Sequence, residues 1–363
     1  MEDDIKNYSQ MTEQVTAVCL GDKFMAIGTE TGYKIFSLNP IKLIKHKDMG
    51  GGIGLIGFYN SDKIIWFVGG GDLPAVPTNE LRLWDNHIDE QLCKFVQKSP
   101  IKNVWVKSEH LFLTLVDKVY LHTLPPSDQI TSFDTVENPY SVIAMSKNED
   151  TNIIVFLDKE DFGSLIIYDY DKKVSKWKIE GNQDDEFYIT CLAITDNGEA
   201  LAVTSSEGCT IHIYNTMNGS KIQDYTRGSV PAHFQFLQFQ LNDSRLLVGA
   251  DTGTLHIFMV GEDIRKQQAQ DHQPKNVYSS FYFLGGLIPY LGKVGSYWKF
   301  RVYDSWVVTA MMPSESAINA LSTKGKIYLG TINVEEGGVA ILENTTTLND
   351  RIMVQEEEKS LAQ

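Results

Sequence analysis

The segment Glu207-Gly-Cys-Thr-Ile-His-Ile-Tyr214 is followed by Tyr225-Thr-Arg-Gly228 and then by Asp251-Thr-Gly-Thr-Leu-His-Ile-Phe258. One strand pattern is written twice, with a short turn carrying Arg227 between the copies. Each copy opens on a turn containing Gly and then alternates until it closes on an aromatic ring, as a strand with one buried face does. Two successive units of a propeller have this form, with a basic turn at the outer rim where they meet.

The same pattern extends outward in both directions. Short β-branched and aromatic runs end in an aromatic residue at Tyr33-Lys-Ile-Phe36, Leu81-Arg-Leu-Trp84, Lys118-Val-Tyr120 and Leu165-Ile-Ile-Tyr168. Their spacing of roughly 36 to 48 residues overlaps the length of a propeller blade. An earlier apolar run precedes many of them, as at Phe24-Met-Ala-Ile27, Ala200-Leu-Ala-Val203 and Leu246-Leu-Val248. A seventh unit is expected from Trp306-Val-Val308 through Ile318-Asn-Ala-Leu321 and Lys326-Ile-Tyr-Leu329, with Gly338-Val-Ala-Ile-Leu342 after it. Helical periodicity is almost absent, and no Pro/Ser-rich linker divides the chain. The expected fold is therefore all-β, a single seven-bladed β-propeller over residues 1–345, with an acidic, mobile tail over 346–363 that includes Gln355-Glu-Glu-Glu-Lys359. A β-sandwich with an appendage is the simpler alternative, but it does not account for evenly spaced units. A closed ring also leaves few strand edges exposed.

Composition narrows the partners. A chain of 363 residues with 42% hydrophobic content has enough apolar surface for a large core. Its formal charge of -15 argues against nucleic acid, which requires a concentrated Lys/Arg surface. Any contact with an acidic membrane must then come from a local patch. Cys19, Cys93, Cys191 and Cys209 lack CxxC spacing and fall in or beside apolar runs, as reduced core thiols do. The N-terminal Met-Glu-Asp-Asp-Ile has no apolar h-region, and no stretch has the apolar length of a membrane span. A cytosolic, soluble chain is expected.

Catalytic and cofactor signals are weak. Gly52-Ile-Gly-Leu-Ile-Gly57 spells GxGxxG, but that fingerprint needs a strand before it and a helix after it. The flanks here read as strand, turn, strand, so an inner blade strand with crowded small residues is expected. Neither HExxH nor GxSxG occurs, and His233 and His272 have no nucleophile in a recognisable motif. No enzyme, metal site or cofactor is expected. His212 and His256 lie at matching positions of consecutive repeats, flanking the turn with Arg227. A strand histidine alone is most simply a packing residue; two at equivalent positions make a functional pair a serious candidate.

Three stretches together resemble the PROPPIN family, the seven-bladed propellers that bind phosphoinositides, and in particular its WIPI-type branch. The first is the turn Tyr225-Thr-Arg-Gly228, where the family reads Phe/Leu-Arg-Arg-Gly. The second is Val68-Gly-Gly-Gly-Asp-Leu-Pro-Ala-Val-Pro-Thr-Asn-Glu-Leu-Arg-Leu-Trp-Asp85, similar to the family's second blade, with Glu30 to Pro40 similar to its first. The third, Asn276 to Val302, resembles the sixth-blade loop that inserts into the bilayer, followed by its Ser-x-Trp-x-Phe strand. Phe281, Phe283, Leu284, Leu287, Ile288, Tyr290 and Leu291 make that segment apolar, and Gly285, Gly286 and Pro289 interrupt any regular strand.

The resemblance implies two lipid pockets, one on each side of the basic turn. On the fifth-blade side Ser205 matches, but Asp185 stands for a histidine, Cys209 for a threonine, His212 for an arginine and Thr226 for the first turn arginine. This pocket is degenerate, since Asp and Thr replace two cations that would face a phosphorylated inositol. On the sixth-blade side Arg227, Thr254 and His256 match, Ser229 adds a hydroxyl, and Ala250 replaces a serine. The implied function is recognition of phosphatidylinositol 3-phosphate or the 3,5-bisphosphate in autophagosome formation, with recruitment of a lipid-transfer partner through Asp22. A peripheral membrane protein at preautophagosomal or endosomal/vacuolar membranes, acting as a monomer, is implied with it. The alternative is a divergent member that acts only through protein–protein interaction.

Overall fold

The computed structural model describes residues 14–348 apart from 22, 39, 60–62, 125–128, 161–162, 180–187, 261–293, 303–306 and 323. Among the described residues the regular elements are all strands. The first sheet takes β1 (Val15–Leu20), β2 (Phe24–Thr29), β3 (Gly32–Leu38) and β4 (Ile41–Asp48). The second takes β5 (Ile53–Tyr59), β6 (Ile64–Gly69), β7 (Glu80–Asp85) and β8 (Glu90–Val96). The third holds β9 (Asn103–Lys107), β10 (His110–Thr114), β11 (Lys118–Thr123) and β12 (Gln129–Asp134). The fourth holds β13 (Ile143–Met145), β14 (Ile153–Leu157), β15 (Leu165–Asp169) and β16 (Val174–Ile179). In the fifth are β17 (Ile189–Ile194), β18 (Ala200–Ser205), β19 (Thr210–Asn215) and β20 (Lys221–Thr226).

The last two sheets are less regular. The sixth has β21 (Phe234–Gln240), β22 (Arg245–Ala250) and β23 (Thr254–Met259). After β24 (Val294–Gly295), β25 (Trp298–Arg301) supplies its fourth strand. The seventh has β26 (Val307–Ser314), β27 (Ala317–Ser322) and β28 (Lys326–Thr331); β29 (Gly338–Val339) precedes its fourth strand, β30 (Ile341–Thr347). Seven four-stranded meanders in series are the strand organisation of a seven-bladed β-propeller. The six runs that end on an aromatic in the sequence all lie in the third strand of their sheet.

The chain divides into two compact units. One holds the described residues of Met1–Ile101, Leu321–Ile327 and Thr346–Gln363; the other holds Lys102–Ala320 and Tyr328–Thr345. In the first unit a core of Ala26, Tyr33, Ile35, Ile53, Ile65 and Phe67 is shared between the first and second sheets. Each core of the second unit likewise joins consecutive sheets. Phe112 and Ile154 belong to the core of the third and fourth sheets, Ile167 and Leu201 to that of the fourth and fifth. Ile211 and Leu246 are shared between the fifth and sixth, Trp298 and Ile318 between the sixth and seventh. Strands buried against a neighbouring sheet read as nearly unbroken apolar runs, which is why the repeats stood out. The tail expected from 346 falls partly within β30 and from 349 onward outside the described residues.

Gly52–Gly57 runs into β5, the first strand of the second sheet, and no helix follows it. A Cβ added at Gly70 would lie 2.3 Å from the Gly54 Cα, so close backbone approach is what these glycines permit. In the loop that follows Gly69, Pro74 makes one parallel bridge to Gly52. Cys209 is buried, whereas Cys19, Cys93 and Cys191 are half-buried; none of the four forms a disulfide.

Two details differ from the sequence expectation. Gly338–Leu342 reads as one strand but is split. Its first part, β29, pairs in parallel with the outer edge of β25, and only from Ile341 does the chain join the seventh sheet. β24 does the same one sheet earlier, pairing with β20 before the chain becomes β25. Segments leading into a fourth strand thus first cover the outer edge of the preceding sheet, satisfying backbone groups an edge would leave open. The second detail is a repeated bulge. Pairing between third and fourth strands slips by one residue at Ile35/Phe36, Leu83/Trp84, Ile167/Tyr168 and Ile213/Tyr214, immediately before the closing aromatic.

Candidate functional site

The third and fourth strands of the fifth and sixth sheets carry the candidate residues. In both sheets the third strand begins on Thr and places His two positions on, so the two side chains share one face. Thr210 and His212 stand on β19; Thr254 and His256 stand on β23. Directly opposite residues on neighbouring antiparallel strands present side chains to the same face, so the fourth strand decides what each histidine meets.

On the fifth sheet His212 stands opposite Asp224, and Thr210 opposite Thr226. His212 Nδ1 donates to Asp224 Oδ1 at 2.6 Å, and Lys221 Nζ reaches the other carboxylate oxygen at 3.1 Å. Burial works against the Asp224 carboxylate, but His212 and Lys221 outweigh it and hold its pKa below the ordinary value. The position expected to serve as a cation for phosphate is therefore engaged by an anion. Ser205 ends β18, where its carbonyl accepts from Gly208 N at 3.2 Å. Gly208 has φ +75 and a Cβ there would lie 2.4 Å from Ala232 O, so this tight turn requires glycine. Asp185 lies outside the described residues.

On the sixth sheet the partners are cations. His256 stands opposite Lys299 and Thr254 opposite Arg301, and both basic side chains are exposed. His256 is 4% exposed and shares a 3.1 Å hydrogen bond with the Ser296 hydroxyl. Ser296 reaches it because β24 has crossed to the edge of β20, placing the next residues beside β23. Burial, then the charges of Arg227 and Lys299, depress the His256 pKa to about 3, so the ring is neutral at pH 7. Arg227 follows β20, and its backbone N–H donates to Cys209 O at 3.0 Å. Its guanidinium donates to Val230 O and, at 3.5 Å, to Gly208 O. Ser229 is exposed in the same turn.

Arg227, Thr254, His256 and Ser296 are thus brought together, with Lys299 and Arg301 along the same face. His212 and Ser205 belong to the neighbouring sheet, where Asp224 replaces the cation. Sequence reading missed Lys299, Arg301, Ser296 and Asp224. The Ser-x-Trp-x-Phe motif contains Ser296 and Lys299, but nothing local assigned them to the histidine strand. Phe281, Phe283, Leu284, Leu287, Ile288, Tyr290 and Asp22 lie outside the described residues. Among the described residues no three of His, Cys, Asp or Glu gather as metal ligands, and no helix is long and apolar enough to cross a membrane.

Comparison with known proteins supplies the wider context. A family model described as PROPPIN matches residues 18–291. Autophagy-related protein 18 of Dictyostelium discoideum is 27% identical over 238 residues, which cover 65% of this chain and 62% of that protein. The chain therefore spans less than two thirds of that relative's length. SVP1-like protein 2 of Schizosaccharomyces pombe is 27% identical over 259 residues, covering 71% of this chain and 70% of the relative. Among solved structures, Kluyveromyces lactis Hsv2 with its complete loop 6CD superposes with a TM-score of 0.73 at 14% identity, covering 93% of this chain and 100% of that one. At that identity the likeness is one of fold.

Proposed function

The chain belongs to the PROPPIN family, and we propose that it is a non-enzymatic effector that recognises phosphatidylinositol 3-phosphate or the 3,5-bisphosphate at membranes through its sixth sheet. The observation that carries this reading is the row of Arg227, Lys299 and Arg301 around Thr254 and His256. In a chain of net charge -15 such a local concentration of cations suits a multiply charged phosphate ester. Arg227 would fork onto a phosphate, with Thr254 and the Ser296 hydroxyl donating to phosphate or ring oxygens. His256, neutral at pH 7, contributes a hydrogen bond rather than a charge.

The names of the relatives support a role in autophagosome formation. The apolar segment from Phe281 to Tyr290 adds bilayer insertion, so that affinity comes from several weak contacts acting together. Asp22 is proposed to recruit the lipid-transfer partner, with the chain acting as a monomer at preautophagosomal or endosomal/vacuolar membranes. A second reading, a scaffold that works through protein contacts alone, is favoured by the His212–Asp224 pair, which removes one of two pockets. Flotation of the full chain with liposomes containing each phosphoinositide in turn separates the two. Recruitment by 3-phosphorylated lipids and not by unphosphorylated phosphatidylinositol is expected. No recruitment by any phosphoinositide leaves the scaffold reading.

A further inference from the structure

Three exposed aromatic rings meet on the turns that lead into the first strands of the fourth, fifth and sixth sheets. Tyr140 lies before β13, Tyr188 before β17 and His233 before β21. The Tyr140 and Tyr188 rings are parallel within 4° at 6.1 Å between centroids, and His233 meets Tyr140 edge-on at 6.0 Å. Tyr140 is 58% exposed and Tyr188 38%. Isolated exposed aromatics are ordinary; three in contact from three separate sheets form a patch.

Each turn that carries a ring is fixed by hydrogen bonds. The buried Asn138 side chain accepts from Val142 N at 2.7 Å and donates to Val142 O at 3.2 Å, closing the turn that projects Tyr140. Ser141, within that turn, has φ +52. Tyr188 N donates to Ser206 Oγ at 3.2 Å, and Ser206 N returns a bond to Tyr188 O at 2.9 Å. His233 N donates to Asp251 Oδ1 at 3.1 Å, and Asp251 N to His233 O at 3.0 Å. Rings fixed in this way lose little freedom on meeting a partner.

Carboxylates neighbour the rings along the chain. Glu137 is exposed three residues before Tyr140; Glu207 follows Ser206 on the turn that holds Tyr188; Asp251 is exposed beside His233. The nearby cation, Arg227, directs its guanidinium to the Val230 and Gly208 carbonyls. An acidic rim around aromatic faces repels an anionic bilayer and a second copy of this acidic chain, and attracts a cation that can lie flat on a ring. A guanidinium does both, stacking on the ring and forking onto carboxylates. We propose that Tyr140, Tyr188 and His233, with Glu137 and Glu207, form a docking site for an extended, arginine-bearing segment of a partner protein. This site borders the lipid-binding row at Arg227 but does not rest on that reading.

The test uses the full chain, a fluorescein-labelled peptide of alternating arginine and glycine, and a glutamate–glycine peptide of equal length, read by fluorescence anisotropy. Saturable binding of the arginine peptide alone is expected. Tyr140→Ala/Tyr188→Ala, which leaves the net charge unchanged, should weaken it about tenfold, the worth of two exposed cation–ring contacts. Tyr140→Phe should keep binding because the ring face remains, and Glu137→Gln/Glu207→Gln should weaken it and flatten its salt dependence. Equal binding by the double alanine variant would show attraction by bulk charge and overturn the proposal, as would no saturable binding to the unaltered chain. If the alanine pair instead converts a dimer to a monomer in sedimentation, or reduces recruitment to anionic vesicles, the occupant is a second copy or a bilayer and the proposal is wrong. Should the pair fail to fold, Tyr188→Ala and His233→Ala are measured singly, and unchanged binding by both also overturns it.

Discussion

His212 and His256 occupy the same position on the third strands of neighbouring sheets, yet His212 Nδ1 meets the Asp224 carboxylate at 2.6 Å while His256 stands opposite Lys299. Two differences between otherwise equivalent strand pairs, Asp224 against Lys299 and Thr226 against Arg301, give the two sheets opposite electrostatic character. On the fifth sheet the histidine meets a carboxylate, and on the sixth it stands opposite a cation.

Reversing that difference should restore a second pocket. In Asp224→Lys/Thr226→Arg, His212 loses its anionic partner and the turn gains a second arginine beside Arg227. Flotation on 3-phosphoinositide liposomes should strengthen about tenfold, the worth of one charge-assisted contact. Unchanged flotation, with the fold intact by circular dichroism, would show that the fifth-sheet face has no latent site.

Arg227→Ala should weaken recruitment to the same liposomes by between about tenfold and a hundredfold, since a hydrogen bond to a charged group is worth about 1.5–3 kcal/mol. Lys299→Glu should act in the same direction. Equal binding by the Arg227 variant would remove the basic turn from the lipid site.

The His256 pKa of about 3 lies below the ordinary histidine value. Between the two values the unfolded chain binds a proton that the folded chain does not, so stability is full above about pH 6.5 and falls as the pH drops toward 3. His256→Gln should therefore lose less stability than the unaltered chain between pH 7 and pH 5, by roughly 2 kcal/mol. Urea unfolding at both pH values measures this, and identical losses would place the ring in a solvated setting.

Replacing Phe283 and Leu287 with Asp should abolish liposome recruitment and leave the melting temperature nearly unchanged, because an inserting loop contributes to membrane affinity and not to the core. A fall of many degrees in the melting temperature would make the segment part of the fold.

Asp22→Lys should weaken co-precipitation of the lipid-transfer partner without altering flotation, since Asp22 is remote in sequence from Arg227. Full partner binding, or a loss of flotation, would contradict separate surfaces for the two ligands.

The repeat itself was legible in the chain. The third strands of the first six sheets are mostly apolar and close on an aromatic, and both features are local, so Leu165–Tyr168 and Leu255–Phe258 announce themselves. The turn with Arg227, and Thr254 and His256 two residues apart, were readable for the same reason.

What the sequence could not supply is register. Counted back from the turn, with Tyr214 opposite Lys221, regular pairing would set His212 against Gln223; the bulge at Ile213/Tyr214 shifts it to Asp224. Side chains alternate faces along a strand, so one inserted residue changes which partner each histidine meets. Lys299 and Ser296 are further removed, since residues 260–293 separate β23 from the returning β24. The contact of Tyr140 with Tyr188 and His233 likewise joins turns from three sheets. The sequence by itself determined the repeating units and their number; only tertiary packing decided which charge stands beside each histidine, because pairing between strands is fixed by hydrogen bonds and bulges that the local pattern does not record.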